Sequence, residues 1–189
     1  TRHMIWSNVA NAHAKLYKKI AAIPTTEKKL PEIKFDHLFR LTDSFGIIQH
    51  ARHAMPHIRW GYSADDNARA LTVAARYFEK TGAAELLELI TTYIRFLQYV
   101  SRKNGTFANI VNAAKKRDST NDDDVFARCM MALGQTAAAV YVPETIRHKS
   151  QELFLNGLKN IHRIRSQRSL AFMIAGLYFY TQKNPRARF

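Results

Sequence analysis

The chain has 189 residues, of which 47% are hydrophobic and only 7 are glycine and 5 proline, which indicates a folded, helix-rich domain rather than a disordered chain. Lys and Arg outnumber Asp and Glu by 29 to 15, and the resulting net charge of +14 favours binding to polyanions. The single cysteine, Cys129, excludes an internal disulfide, and its apolar neighbours predict a buried, inert thiol.

The sequence contains no apolar run near the roughly 18 residues that a membrane span needs, and no secretory signal opens it. We therefore expect no membrane span and a cytoplasmic location. The opening residues Thr1-Arg-His-Met lack an initiator methionine at position 1, so we expect a piece of a longer polypeptide.

The first third of the chain predicts one long helix and then shorter elements. Apolar side chains recur at helical spacing over residues 5–23, and a polar, proline-bounded linker follows at 24–31. The expected organisation is therefore a helix at 1–23, a linker at 24–31 and a domain at 32–189. Within that domain we expect a helical turn at 35–41 and a turn at 42–46 that leads to residues 47–51, and we expect Met55-Pro56 to end any regular element there.

Helical periodicity then predicts five longer helices, at about 65–80, 84–101, 122–141, 143–161 and 167–182. Gly82 is a plausible C-cap of the first, Pro143 suits the first turn of the fourth, and Asn184-Pro185 should end the fifth. No alternating pattern predicts a sheet. The fold class is therefore all-α, with sequential antiparallel helical hairpins.

The first, third and fifth of these helices have apolar or small residues on most of their surface, whereas the second and fourth keep polar faces. A helix that is apolar all round is usually buried. The alternation therefore predicts two layers, with three inner helices and two outer ones.

Two of the inner helices begin with acidic clusters. In Gly61–Leu71, Asp65 and Asp66 occupy the first helical turn and Asn67 and Arg69 follow, and residues 121–133 contain a looser echo of this pattern. Helix capping is one explanation, because a carboxylate at a helix N-terminus contributes about 0.3–1 kcal/mol of stability. A sugar site is the other, because the aromatic side chains of Trp60 and Tyr62 precede the acids.

Histidines at positions 50, 53 and 57 form a second cluster of polar residues. His50 and His53 could share one face of a helix, but the His-Glu-x-x-His pattern of zinc sites is absent. We therefore expect no metal and no cofactor, and we interpret Gln49 and His50 as polar ligands of a sugar.

Three segments together resemble the helical-toroid region found C-terminal to bacterial glycosyltransferases of the GT-B, group 1 type. They are Thr42–Ala51, Met55-Pro56 and Gly61–Leu71. The stretch Trp6–Ala10 with Tyr17 is similar to the closing helix of such a transferase domain. Later segments resemble further parts of the toroid, namely Asn104–Phe107, Asp122–Leu133 and Arg168–Phe172.

The resemblance implies a partial α/α toroid, related to those of carbohydrate-active enzymes, in which the N-termini of the inner helices face a central funnel. It places these residues around the funnel: Asp43, Gln49, His50, Tyr62, Asp65, Asp66, Asn67 and Arg69. Ser44 stands where the family usually has a second acid. The chain covers about three hairpins, so a homodimer or the remainder of the toroid is expected to cover its open edge.

The leading functional hypothesis is a carbohydrate-associated module of a glycosyltransferase-type protein, which binds or processes glycans in an acidic and aromatic funnel. If it is hydrolytic, Asp65 or Asp66 would be the acid or base, with Asp43 or Asp123 as the second carboxylate. The parent protein would be a glycosyltransferase, and we do not expect this part to be active alone. A basic scaffold that binds nucleic acid is the alternative, and a degenerate partial domain without activity is a third.

Overall fold

A computed structural model describes residues 5–21 and 31–183, and the chain divides into two compact units, Thr1–Lys34 and Phe35–Phe189. The first unit contains helix α1, Trp6–Ala21, with Lys18 and Lys19 in its last turn, where cations favour the helix dipole. The end of the helix predicted over 5–23, residues 24–30 of the predicted linker, and the predicted stop at Asn184-Pro185 lie outside the described residues.

The second unit contains the predicted helices, so the all-α class is confirmed. Their bounds are α2 Asp36–Leu41, α3 Ala64–Thr81, α4 Leu86–Val100, α5 Asp123–Ala138, α6 Glu144–Leu158 and α7 Gln167–Lys183. Gly82 ends α3 in the left-handed conformation, as its sequence position predicts. No described helix is long and apolar enough to cross a membrane.

Residues 31–183 also contain four two-residue strands, which the sequence pattern did not predict. Strand β1, Ala51–Arg52, pairs antiparallel with β2, Met55–Pro56, and β3, Tyr62–Ser63, pairs antiparallel with β4, Ile110–Val111. Two residues are too few to show the alternation by which a strand is recognised in sequence. Met55-Pro56 thus belongs to a small hairpin, and His50 and His53 do not lie on a common helix.

The long helices pack in two layers. Helix α5 contacts α3 on one side and α7 on the other, whereas α4 packs against α3, and α6 packs against α5 and α4. Helices α5 and α7 approach closely because glycines meet at their contact: a Cβ added at Gly134 would lie 2.4 Å from the carbonyl oxygen of Gly176. This order of contacts is that of sequential helical hairpins.

Burial follows the expected division into buried and half-exposed helices for α4 but not for α7. Helix α4 keeps the expected polar face, where Glu88, Arg95 and Gln98 are exposed, and buries its apolar side against α3, α6 and the loop around Phe45. Helix α7, expected to be buried, leaves Ile174 65% and Tyr178 58% exposed. It is the last helix of its row, and within residues 31–183 its outer side has no covering helix.

Candidate functional site

The N-terminal ends of α3, α5 and α7 bring aspartates and arginines into one connected group. Arg69 lies 2.6 Å from both Asp65 and Asp66. Arg128 lies 3.0 Å from Asp65 and 3.3 Å from Asp124, and Arg168 of α7 lies 3.0 Å from Asp124. We call this group the acid–arginine cluster; its members are Asp65, Asp66, Arg69, Asp124, Arg128 and Arg168.

Local sequence builds each part of the cluster. The Ser63 hydroxyl accepts hydrogen bonds from the first N–H groups of α3, and the Asp122 carboxylate does the same for α5. Each cap fixes the start of its helix, so that an aspartate two residues on and an arginine four residues later share one face. Because α3 and α5 lie side by side, Arg128 reaches the aspartate of the neighbouring helix.

The pKa values of two carboxylates of the cluster are shifted in opposite directions. Burial raises the pKa of Asp66 above its ordinary value, and the nearby Asp65 charge adds to this, whereas Arg69 and His50 act in the opposite direction. Burial would also raise the pKa of Asp124, but hydrogen bonds and charge from Arg128 and Arg168 outweigh it, so this pKa lies below its ordinary value. Asp124 is therefore a fixed anion, and Asp66 is the carboxyl group closer to taking up a proton.

An exposed aromatic pair lies in the segment before α3. The rings of His50 and Trp60 meet edge to face with centroids 5.5 Å apart, and Trp60 is 58% exposed. His50 is among the groups that lower the pKa of Asp66. Gln49 contributes through its backbone, because its N–H donates to the Gly61 carbonyl oxygen at 2.9 Å.

Three other predicted site residues stabilise the chain itself. Asp43 accepts hydrogen bonds from two backbone N–H groups of its own turn and, at 2.6 Å, from the hydroxyl of Tyr62, which is 2% exposed. Burial, reinforced by Asp43, raises the pKa of Tyr62. Asn67 is fully buried and bonds to the backbone of Ile47 and Ser63. These side chains hold the loop before α3 against its first turn.

Asp123 lies at a separate place, where its carboxylate accepts a hydrogen bond of 2.8 Å from the Arg165 backbone. It lines a cavity of about 140 Å³ with Phe107, Asn160 and Arg163. Asn160 and Arg163 were not predicted from the sequence, since they belong to the connection between α6 and α7. Residues 121–123 line the same cavity and were the part of it that the acidic sequence pattern indicated. Neither Asp43 nor Asp123 makes a contact with Asp65 or Asp66 in the described part of the chain.

Comparison with known proteins does not assign the site. Within residues 5–21 and 31–183, no three metal-ligating side chains converge. No protein-family model matches the chain, and no curated protein matches it.

Proposed function

We propose that this chain is the glycan-binding part of a helical-toroid protein of the glycosyltransferase type, and that it binds sugars beside the N-terminal end of α3. The observation that carries the proposal is the exposed pair of His50 and Trp60 in the segment before α3, whose histidine is among the groups that lower the pKa of Asp66. An exposed indole, a carboxyl group and a guanidinium at one helix end are the groups that a sugar needs.

Each group has a role in sugar recognition. The face of Trp60 offers an apolar surface for the C–H face of a pyranose ring. Asp66 accepts hydrogen bonds from hydroxyl groups, and Arg69, which is exposed, donates to them. Since Arg69 already binds both aspartates at 2.6 Å, the polar groups are positioned before the ligand arrives.

Binding fits the geometry better than hydrolysis. Glycosidases place two carboxyl groups on either side of the scissile bond, roughly 5–9.5 Å apart. Here Asp65 is paired with Arg69 and Arg128, while Asp43 is engaged by Tyr62. Asp66, with its raised pKa, is the carboxyl group that we expect to act as the acid if the complete protein turns over glycans.

The test is a glycan array followed by titration of any glycan that binds. The chain has two tryptophans, so in a Trp6→Phe background the emission reports on Trp60 alone. We expect Trp60→Ala to weaken binding at least tenfold and Asp66→Asn to abolish it while barely changing Tm. Tyr141→Ala, at a residue 66% exposed in a different loop, is the control and should bind normally.

If Trp60→Ala bound the selected glycan as tightly as the unaltered chain, the proposal would be wrong. If Asp66→Asn still bound the glycan and lowered Tm by the amount expected for the loss of a helix cap, Asp66 would be a capping group alone.

Polyanion binding is the second candidate, and one surface favours it. The exposed turn at 112–117 presents Lys115, Lys116 and Arg117 in fixed positions: Lys115 lies 4.9 Å from the Phe45 ring, and Arg117 lies 5.1 Å from the Tyr99 ring. Such a surface would bind DNA with steep salt dependence. Lys116→Glu should then weaken DNA binding, whereas Trp60→Ala should not.

A further inference from the structure

Helix α1, Trp6–Ala21, leaves its large apolar side chains exposed to solvent. Leu16 is 50% exposed, Ile20 is 72% exposed and Trp6 is 84% exposed. Apolar side chains in water forgo the free energy that their burial would contribute. Large exposed apolar surfaces mark places where a protein binds another molecule or a membrane.

The exposed apolar side chains of α1 form one continuous stripe. At 3.6 residues per turn, Val9, Leu16 and Ile20 lie on one side of the helix, and Ile5, directly before the helix, extends the row. His13 lies on the same side, but its Nδ1 is hydrogen-bonded to the Val9 carbonyl oxygen at 2.8 Å. This polar atom is therefore engaged within the helix and does not interrupt the stripe.

The opposite face of α1 is basic. The helix contains no Asp or Glu, and its polar face consists of three lysines and three uncharged residues, namely Ser7, Asn8, Asn11, Lys15, Lys18 and Lys19. Charge attraction thus favours an anionic partner. Lysine side chains can also lay their methylene groups along an apolar surface while the ammonium group stays among polar groups.

Two exposed aromatic side chains flank the stripe along one edge. Trp6 and Tyr17 lie on the same side of the helix, because their separation is close to three full turns. Trp and Tyr are enriched where a membrane meets water, since each has an apolar ring and a polar group. In protein–protein interfaces such residues concentrate near the centre instead. Their place at the edge of the stripe favours a lipid surface over a groove in an acidic protein.

We propose that α1 is an amphipathic helix that lies on an anionic membrane surface. Leu16 and Ile20 enter the boundary between headgroups and acyl chains, Trp6 and Tyr17 lie at the level of the headgroups, and the lysines contact the lipid phosphates. With 16 residues, α1 is shorter than the roughly 20 that a spanning helix needs, so it lies in the plane of the surface. This role is independent of the glycan site.

The test is the binding of the full chain to vesicles, followed through the emission of Trp6 in a Trp60→Phe background. Vesicles of phosphatidylcholine with phosphatidylserine should shift the emission to the blue saturably, and phosphatidylcholine alone should bind about tenfold more weakly or less. Replacing Lys15, Lys18 and Lys19 by glutamine keeps good helix formers on the polar face. It should weaken binding to the anionic vesicles about 100-fold, or about fivefold for each lysine.

A second variant tests the apolar stripe. Leu16→Asp should weaken binding to the anionic vesicles about tenfold or more, because it places a charge in the apolar layer. The matched control is Ile174→Asp, at a residue of α7 that is 65% exposed, and it should bind the vesicles normally.

The proposal is overturned if the anionic vesicles leave the Trp6 emission unchanged, if the triple glutamine variant or Leu16→Asp binds as tightly as the unaltered chain, or if Ile174→Asp loses binding. A dimer that forms without lipid and is lost in Leu16→Asp, with no vesicle binding, would assign the stripe to a second copy of the chain. Binding of polyglutamate without binding of vesicles would assign it to an acidic protein.

Discussion

Arg128 offers the sharpest test of how the acid–arginine cluster is held together. Its Nε lies 3.0 Å from Asp65 and 3.3 Å from Asp124, and its guanidinium carbon lies 4.3 Å from the centre of the Phe172 ring. One side chain thereby joins α3, α5 and α7. The substitution Arg128→Met keeps an unbranched side chain that still packs on Phe172, but it removes the charge.

The expected loss follows from the exposure of these contacts. A hydrogen bond to a charged group contributes about 1.5–3 kcal/mol when it is buried, whereas an exposed ion pair contributes about 0–1 kcal/mol. The side chains of Arg128, Asp65 and Asp124 are 20–23% exposed, so each pair falls between these limits. With about 0.5–1 kcal/mol for the contact with the aromatic ring, the free energy of unfolding should fall by about 2–4 kcal/mol.

Urea unfolding at pH 7, followed by circular dichroism, measures this difference. Arg95→Met is the matched control on the exposed face of α4 and should change stability by less than about 0.5 kcal/mol. Asp65→Asn added to Arg128→Met should recover part of the loss, because it removes a charge left without its partner. A loss below 0.5 kcal/mol for Arg128→Met would refute the view that this residue organises the cluster.

Two further predictions concern packing and acid. Gly134→Ala would place its Cβ 2.4 Å from a backbone carbonyl of α7, so we expect a lower Tm and a loss of about 1–3 kcal/mol despite a gain in helix propensity. Gly157→Ala, which would meet a flexible methionine side chain, should lose less; equal losses would contradict this reasoning. Because the folded-state pKa of Asp124 is lowered, its stabilisation is present above its unfolded pKa of roughly 4 and is lost as the pH falls further. Asp124→Asn should thus be less stable than the unaltered chain at pH 7, and the difference should shrink as the pH falls below about 4; a pH-independent difference would exclude that cause. The pKa of Asp66 is raised on folding, so its ionised form does not stabilise the folded state. Asp66→Asn should therefore not lower stability at pH 7.

The helices were predictable because their signals are local. Gly82 and the acidic residues at 122–124 mark helix ends through contacts within a few residues, and the structure has helix ends there. The exposure of Ile174 on α7 was not predictable from periodicity. It depends on whether a helix has a neighbour on each side, and that is a property of the assembled unit.

In the site too, contacts within one helix were predictable from the sequence, whereas contacts between distant segments were not. The spacing of Asp66 and Arg69, at i and i+3, is that of a helical ion pair, and so is the i and i+4 spacing of Asp124 and Arg128; the structure contains both pairs. The role of Asn67 could not be predicted, because its partner Ile47 is 20 residues away and is brought to it by the folded loop. The link from Arg128 to Asp65 likewise arises because α3 and α5 lie side by side.

The rate at which the buried thiol reacts can be used to measure one internal motion of the molecule. Cys129 is the sole cysteine of the chain, it is fully inaccessible on α5, and its Sγ lies 3.9 Å from the carbonyl oxygen of Ala64 at the start of α3. Burial raises its pKa, with a further contribution from Asp65, so the reactive thiolate does not form in the closed state. A thiol reagent can therefore modify it only when the packing around this side chain opens. The labelling rate reports how often that happens, and comparing the rate with and without a bound glycan measures how strongly the ligand stabilises the packed state.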